Sequence, residues 1–346
     1  MAKVDIKSMT LDRLRAYIES LGEKKFRADQ IYAWIHQRQA AGWDEMTNLP
    51  GKLRQYLAQE ADLTVLRQED CQISRLDGTR KYLFALADGN MVESVLMPYH
   101  HGNSVCISTQ VGCKMGCRFC ASTLDGWVRN LTPAEMLDQV YRIQRATGER
   151  VSNIVLMGTG EPLDNFCNVV RFIELICHER GLHISGRNIT VSTCGLVPRI
   201  RDLADLQMSI TLAISLHASS QEVRRQLMPI ADRYGMEEVL DACRYYFHKT
   251  GRRLTFEYSL VAGVNDSGED AARLAGLLKG IPSHVNLIPV NPIQERNFRQ
   301  SGRRAIEAFR QKLEKYGVNV TIRREMGRDI DGACGQLRRR KMHEAD

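Results

Sequence analysis

Val105-Cys106-Ile107-Ser108-Thr109-Gln110-Val111-Gly112-Cys113-Lys114-Met115-Gly116-Cys117-Arg118-Phe119-Cys120 reads as an apolar strand, Val105 to Thr109, running into an irregular loop with three thiols in eight residues. Downstream, Thr132-Pro133-Ala134-Glu135 has the marks of a helix start: a threonine N-cap, proline at the first helical position and glutamate at the capping-box position. That helix runs to Thr147-Gly148, and a second apolar run, Ser152 to Met157, follows it. Strand, thiol loop, helix and strand thus form one βα unit, the element of a parallel sheet.

The same alternation repeats to the end of the chain. Six units are expected, with strands at Val105 to Thr109, Ser152 to Met157, Asn188 to Thr193, Ile210 to Leu216, Leu254 to Val261 and His284 to Val290, and a further β-like run at Val318 to Arg323. Six parallel strands fall short of a closed eight-stranded barrel, so the fold class is α/β, as an open sheet or a partial barrel. In both, ligands bind at the C-terminal ends of the strands. Before residue 65 the pattern is helical: Leu11 to Ser20, Arg27 to Gln39 and Lys52 to Ala61. Between lies a short antiparallel unit, with Asp77-Gly78 turning Ile73–Leu76 into Lys81–Leu86, and Met91 to Met97 after a turn at Asp88-Gly89-Asn90. The expected division is a helical accessory domain over 1–70, a β extension over 71–98, the barrel over 99–325 and a C-terminal loop with a basic tail over 326–346.

Of 346 residues, 43% are hydrophobic and 26% charged, as in an ordinary globular protein, and no apolar run is long enough to span a bilayer. A cytoplasmic setting is the expectation, with no membrane partner and a monomeric chain. Ten cysteines in a reducing compartment do not read as a structural disulfide framework, so tight spacing among them points to metal binding or redox chemistry. The net charge of +7 favours a polyanionic partner. Arg323, Arg324, Arg328 and Arg338-Arg339-Arg340-Lys341 concentrate that charge near the C-terminus, where a solvated, disordered tail is the plain alternative.

Three thiolates at Cys113, Cys117 and Cys120 leave one iron of a cubane cluster open to an exogenous ligand, whereas four would close it. A zinc site would need a distant fourth ligand, because there is no second Cys-x2-Cys pair. With an aromatic residue before the last cysteine, the Cys-x3-Cys-x2-Cys spacing resembles the signature of the radical S-adenosylmethionine (SAM) superfamily. That implies a partial (βα)6 barrel and a [4Fe-4S] cluster whose open iron binds SAM through its amino and carboxylate groups. Further along, Asn103-Ser104-Val105-Cys106, Gly158-Thr159-Gly160-Glu161-Pro162, Ser192-Thr193, Ser215-Leu216-His217, Leu227-Met228-Pro229-Ile230, Gly263-Val264-Asn265-Asp266, His284-Val285-Asn286-Leu287 and Asp329 to Leu337 resemble one branch, the RlmN adenine C2 methyltransferases of 23S rRNA and tRNA.

The resemblance implies SAM contacts from Gly160, Glu161, Ser192, Ser215, Leu216, His217 and Asn291, each near the end of an expected strand. It also implies two catalytic cysteines. Cys334 would be methylated by a first SAM; a radical derived from a second would take hydrogen from that methyl group and the carbon would add to adenine. Cys106 would then release the product through a transient Cys106–Cys334 disulfide. The family places a proton acceptor at Val92-Glu93-Ser94-Val95, making Glu93 a general-base candidate, although alternation in the strand equally allows a solvated carboxylate. Implied partners are 23S rRNA, tRNA and an electron donor such as flavodoxin or ferredoxin, with Lys24, Lys25, Arg27 and the basic tail facing RNA phosphates. The C8 adenine methyltransferases of the same branch share the cluster and both cysteines, so motif chemistry leaves C8 open. A non-catalytic iron-sulfur RNA-binding protein is the reading from another class. Cys194 stands where the branch is expected to have serine.

Overall fold

A computed structural model of the chain describes residues 3–291, 297–330 and 335–345. Strand β1 (Val4–Asp5) opens the chain, followed by α1 (Leu11–Ser20), α2 (Phe26–His36), α3 (Gly51–Glu60) and β2 (Ala61–Asp62). β1 pairs in parallel with β2, Val4 opposite Ala61, which closes the helical unit on itself. Its helices turn Leu14, Ile18, Ile31, Ile35, Leu53 and Leu57 inward at helical spacing.

The antiparallel extension follows as β3 (Arg67–Ile73), β4 (Arg80–Ala85) and β5 (Met91–Met97). Its first arm lies upstream of the expected Ile73–Leu76. Arg67-Gln68-Glu69-Asp70-Cys71-Gln72-Ile73 is an outermost strand with mostly exposed or half-buried side chains, so it gives no apolar alternation to read. Asp77-Gly78 does sit in the turn that follows.

The barrel comprises β6 (Asn103–Cys106), a ribbon of β7 (Gln110–Gly112) and β8 (Trp127–Asn130), α4 (Pro133–Thr147), β9 (Val151–Leu156), α5 (Phe166–Cys177), β10 (Ile189–Thr193), α6 (Val197–Asp205), β11 (Thr211–Ser215), α7 (Gln221–Leu227), α8 (Met236–Thr250), β12 (Leu254–Leu260), α9 (Gly268–Leu277), β13 (Ser283–Pro289), α10 (Arg303–Lys315) and β14 (Val320–Ile322). Among the described residues, one ten-stranded sheet runs β14-β13-β12-β11-β10-β9-β6-β5-β4-β3. The strands from β6 to β14 pair in parallel and those from β3 to β6 antiparallel, so the extension is continuous with the barrel wall through β5 and β6. The order has two distinct ends, an open partial barrel.

α4 starts as expected: Thr132 accepts from the Glu135 backbone N–H while Glu135 accepts from that of Thr132. The helix also seats the N-terminal unit. Lys7 Nζ lies 2.7 Å from Asp138 Oδ1, both side chains fully buried, and donates to the Thr64 carbonyl; Asp138 Oδ2 accepts from the Leu66 N–H at 2.7 Å. His36 Nδ1 meets Tyr141 Oη at 2.8 Å.

The basic tail is not a solvated coil. It forms α11 (Gln336–Ala345), with Leu337 and Arg338 buried against the extension and ion pairs from Arg339 to Asp125 and Lys341 to Asp70. The basic composition hides one apolar anchor that suffices to dock a short helix.

Candidate active site

At the C-terminal ends of the parallel strands lies a cavity lined by Cys113, Cys117 and Cys120 on one side and by Gly160, Glu161, Ser192, Ser215 and His217 on the other. The thiols do not follow β6 directly. The β7–β8 ribbon intervenes and pins both ends of the loop: Gly112 stands opposite Trp127 and the Cys113 N–H donates to the Gly126 carbonyl at 2.8 Å. Within the loop, Thr123 Oγ1 donates to the Cys117 and Cys120 carbonyls, and the Arg118 N–H donates to the Leu227 carbonyl, which ties the loop to α7.

Met115, Phe119 and Met228 line the cavity beside the thiols. Burial raises the Cys113 thiol to about 12 and pushes Cys117 up as well, so both are neutral until a cation replaces their protons. Among the described residues no three Cys, His, Asp or Glu side chains converge on a point suited to one metal ion, as a mononuclear zinc site requires. Three cysteine thiols on the wall of one open cavity are the donor set that a multi-iron cluster takes when one of its irons is left to an exogenous ligand.

Glu161 is held from three sides. Its N–H donates to Gln110 Oε1, while its carboxylate accepts from the N–H groups of Leu163 at 3.0 Å and Cys194 at 2.8 Å. Burial raises its affinity for a proton and these backbone donors oppose that, leaving an anchored carboxylate matched to a cationic amine. Gly160 permits this geometry. Its φ of +114° is in the left-handed region, and a Cβ there would fall 2.7 Å from Gln110 Cβ and 2.8 Å from the Gln110 nitrogen. Cys194 meets Glu161 through both its backbone N–H and its thiol, and its carbonyl accepts from buried Arg224 at 2.7 Å.

His217 leaves β11 with φ +56°. Its Nδ1 accepts from the Ser259 N–H at 2.9 Å, which places the proton of the neutral ring on Nε2, and burial lowers its pKa to about 3. The ring meets Phe119 of the thiol loop edge-on, centroids 4.7 Å apart. Fully buried Asn265 fastens the strand ends, donating to the His217 and Ser259 carbonyls and accepting from the Val261 N–H. The structure does not bring every expected contact to the cavity. Leu216 packs into the core beneath, and Asn291 is exposed beyond β13 and is not among the lining residues.

Cys106 ends β6, buried among Val95, Met97, Tyr99, Val155, Met157 and Met326. Val95 stands opposite Cys106 in the antiparallel register, and Glu93 lies two residues away on the same face. Glu93 is buried, which overturns the solvated alternative: a strand with helices or chain on both faces has no solvent side. Lys81 Nζ lies 3.0 Å from its Oε2, and its oxygens accept from the Gly335 N–H at 2.6 Å and the Arg338 N–H at 2.7 Å. Cys334 lies outside the described residues.

Three lining residues were not among the expected site residues. Glu257 on β12 accepts from Asn286 Nδ2 at 2.9 Å, and burial raises its pKa against the nearby Arg323. Ser259 and Arg323 complete that wall. Register shows what sequence alone does not: Ser215 stands opposite Glu257 and Glu257 opposite Asn286, so polar residues from neighbouring strands meet on the inner face.

Residues 4–63 match the family model of the ribosomal RNA large subunit methyltransferase N-terminal domain, and residues 107–275 that of the radical SAM superfamily. The chain is 63% identical over 342 residues to a probable dual-specificity RNA methyltransferase RlmN of Lachnospira eligens, covering 99% of this chain and 98% of that protein. It is 59% identical to the corresponding protein of Lachnoclostridium phytofermentans over 97% of this chain and 95% of the relative. A crystal structure of a radical SAM methyltransferase from Sphaerobacter thermophilus, 42% identical, superposes with a TM-score of 0.92 over 96% of this chain and 98% of that one. A [4Fe-4S] cluster and SAM are the cofactors of this superfamily. The thiol loop, the anchored carboxylate and these likenesses across both halves agree: the chain belongs to the RlmN family of radical SAM dual-specificity RNA methyltransferases.

Proposed function

We propose that the chain methylates C2 of adenosine in 23S rRNA and in tRNA through a methylated Cys334. The observation that carries this reading is the meeting of three thiols, the anchored Glu161 and the strand-end polar groups in one cavity, with Cys106 on the adjacent strand of the same sheet. Cys113, Cys117 and Cys120 would hold the cluster. When bound, it supplies the electron for reductive cleavage of SAM.

The chain's own groups do the rest. Glu161 receives the amine of SAM; Ser192, Ser215 and neutral His217 offer polar contacts along the cavity wall. C2 of adenine is an sp2 carbon without nucleophilic character, so a carbon carried on Cys334 sulfur suits it better than an electrophilic methyl group. Cys106, by thiolate attack on that sulfur, closes a disulfide and frees the product, ordinary thiol exchange. Glu93 takes the C2 proton; among the described residues Gly335 and Lys81 stand on its Oε2 and Arg338 on its Oε1, so Oε1 is the oxygen offered for it.

RNA contact is assigned to the helical unit. Lys24 and Lys25 are exposed beside Phe26, with the Arg27 guanidinium 4.6 Å from the Phe26 ring centroid, a basic edge with an aromatic face. The tail contributes less than its composition promises, because Arg339 and Lys341 face Asp125 and Asp70. A cytoplasmic monomer served by flavodoxin or ferredoxin completes the reading; the RNA substrates of the family support the compartment. No helix among the described residues is long and apolar enough to cross a membrane.

Anaerobically reconstituted protein, given SAM, dithionite and a 23S rRNA fragment, should yield 2-methyladenosine by mass spectrometry. Formation of 8-methyladenosine would reassign the regiochemistry.

A further inference from the structure

Arg224, on α7, is a fully buried cation, and among the described residues no carboxylate pairs with it. Its Nη2 donates to the Cys194 carbonyl at 2.7 Å and its Nη1 to that of Tyr234 at 3.4 Å, while Nε has no partner. Arg224 is not among the residues that line the cavity, so it acts on the site from behind the wall.

The fold makes room for this charge. Gly195 has φ +102°, and a Cβ there would fall 3.0 Å from Val239 Cγ2 and 3.1 Å from Arg224 Nη2, so the guanidinium passes only beside a residue without a side chain. The helix that carries it also braces the thiol loop. The Arg118 N–H donates to the Leu227 carbonyl at 2.9 Å, and Leu227 packs in one apolar cluster with Cys117, Phe119 and Cys194.

An unpaired charge in the interior is costly unless an anion answers it, and protonated thiols are no anion. Burial draws the pKa of Arg224 down, yet a guanidinium keeps its proton across the working range, and its field reaches both Cys194 and Cys117. With iron bound, the three thiols become thiolates whose charge outweighs that of an oxidised cubane core, and reduction adds one more negative charge. A fixed cation in a medium that screens it poorly favours the reduced form.

We propose that Arg224 is the built-in counter-charge of the cluster: a positioning residue that acts through Cys194 and Cys117, without touching SAM, and raises the potential at which the cluster takes one electron from an external donor. This rests on the reading of Cys113, Cys117 and Cys120 as the cluster ligands.

The test is a redox titration of full-length, anaerobically reconstituted protein with dithionite, the reduced cluster read by electron paramagnetic resonance and its loading by iron and sulfide analysis. In R224M the ratio of reduced to oxidised cluster at a fixed ambient potential should fall about tenfold, a midpoint about 59 mV lower for one electron. R224K keeps the charge and should stay within about threefold of the unsubstituted chain; a lost hydrogen bond alone would move both variants together. V239E leaves the arginine in place and gives it a carboxylate, because Val239 and the guanidinium flank the same point at Gly195. It should lower the midpoint as R224M does, and it decides the matter where R224M takes up no cluster. An unchanged midpoint in loaded R224M, or in V239E where R224M is unloaded, overturns the proposal, as does a shift in R224K equal to that in R224M. Unsubstituted protein that takes up no iron and sulfide overturns the cluster ligands instead, and the role of Arg224 with them.

Discussion

At the scale of single residues, backbone geometry decides more than side-chain identity. Gly160→Ala places a methyl group against Gln110 in a left-handed conformation, which should destabilise the strand end by about 2 kcal/mol or more and move Glu161. We expect SAM affinity to fall at least tenfold by equilibrium dialysis, with the iron content retained. His36 gives a pH signature away from the cavity. Burial lowers its pKa from 6.5 to about 3, so the folded state keeps it neutral. The stability it contributes is fully present above pH 6.5 and is lost as pH falls toward 3, at about 1.4 kcal/mol per pH unit. Urea titrations at pH 7 and 5 should show this slope, and His36→Gln should flatten it. That the three thiols and the glycine-glutamate turn share a strand-end cavity was legible in sequence, the thiols from their spacing and the turn from the strand before it. The place of Glu257 and Ser259 on the cavity wall was not, since a polar residue inside a mostly apolar strand gains its meaning from the strand beside it, and Arg323, just past the end of β14, read only as one of a basic cluster.

At the scale of elements, α4 is both the first barrel helix and the seat of the N-terminal unit. Asp138 accepts hydrogen bonds there from Lys7 and Leu66 and has Arg142 as a second cation 3.4 Å away. Asp138→Ala leaves a buried ammonium without a counter-charge and should cost about 3–5 kcal/mol, read by denaturant unfolding, with residues 4–63 losing hydrogen-exchange protection first. Lys7→Met with Asp138→Leu should be far milder, because no uncompensated charge remains. The cap of α4 and the six barrel strands were readable, since caps and apolar runs are local signals. The β7–β8 ribbon was not: strands of three and four residues are too short to show a period. β3 and α11 escaped for the opposite reason, polar sequences ordered by a partner surface rather than by their own pattern.

At the scale of the whole molecule, a sheet continuous from β3 to β14 joins chemistry to its support, while the helical unit stands beside it with a basic edge. If that edge meets RNA phosphates, Lys24→Glu with Lys25→Glu should raise KM for RNA and reduce the slope of log affinity against log salt by about 2, measured by filter binding, with SAM affinity unchanged. The partial barrel could be anticipated from the number of units. Its fusion with the antiparallel extension could not, because pairing between β5 and β6 depends on the turn at Pro98 to Gly102, which has no feature beyond those of an ordinary loop.

That seam sets a phase. Side chains alternate across a strand, so slipping β5 by one position against β6 would leave the Cys106 sulfur where it is and rotate Glu93 to the outer surface. Adding a single residue within β5 should therefore be more damaging than lengthening the Pro98 to Gly102 connection by several, although the latter is the larger edit.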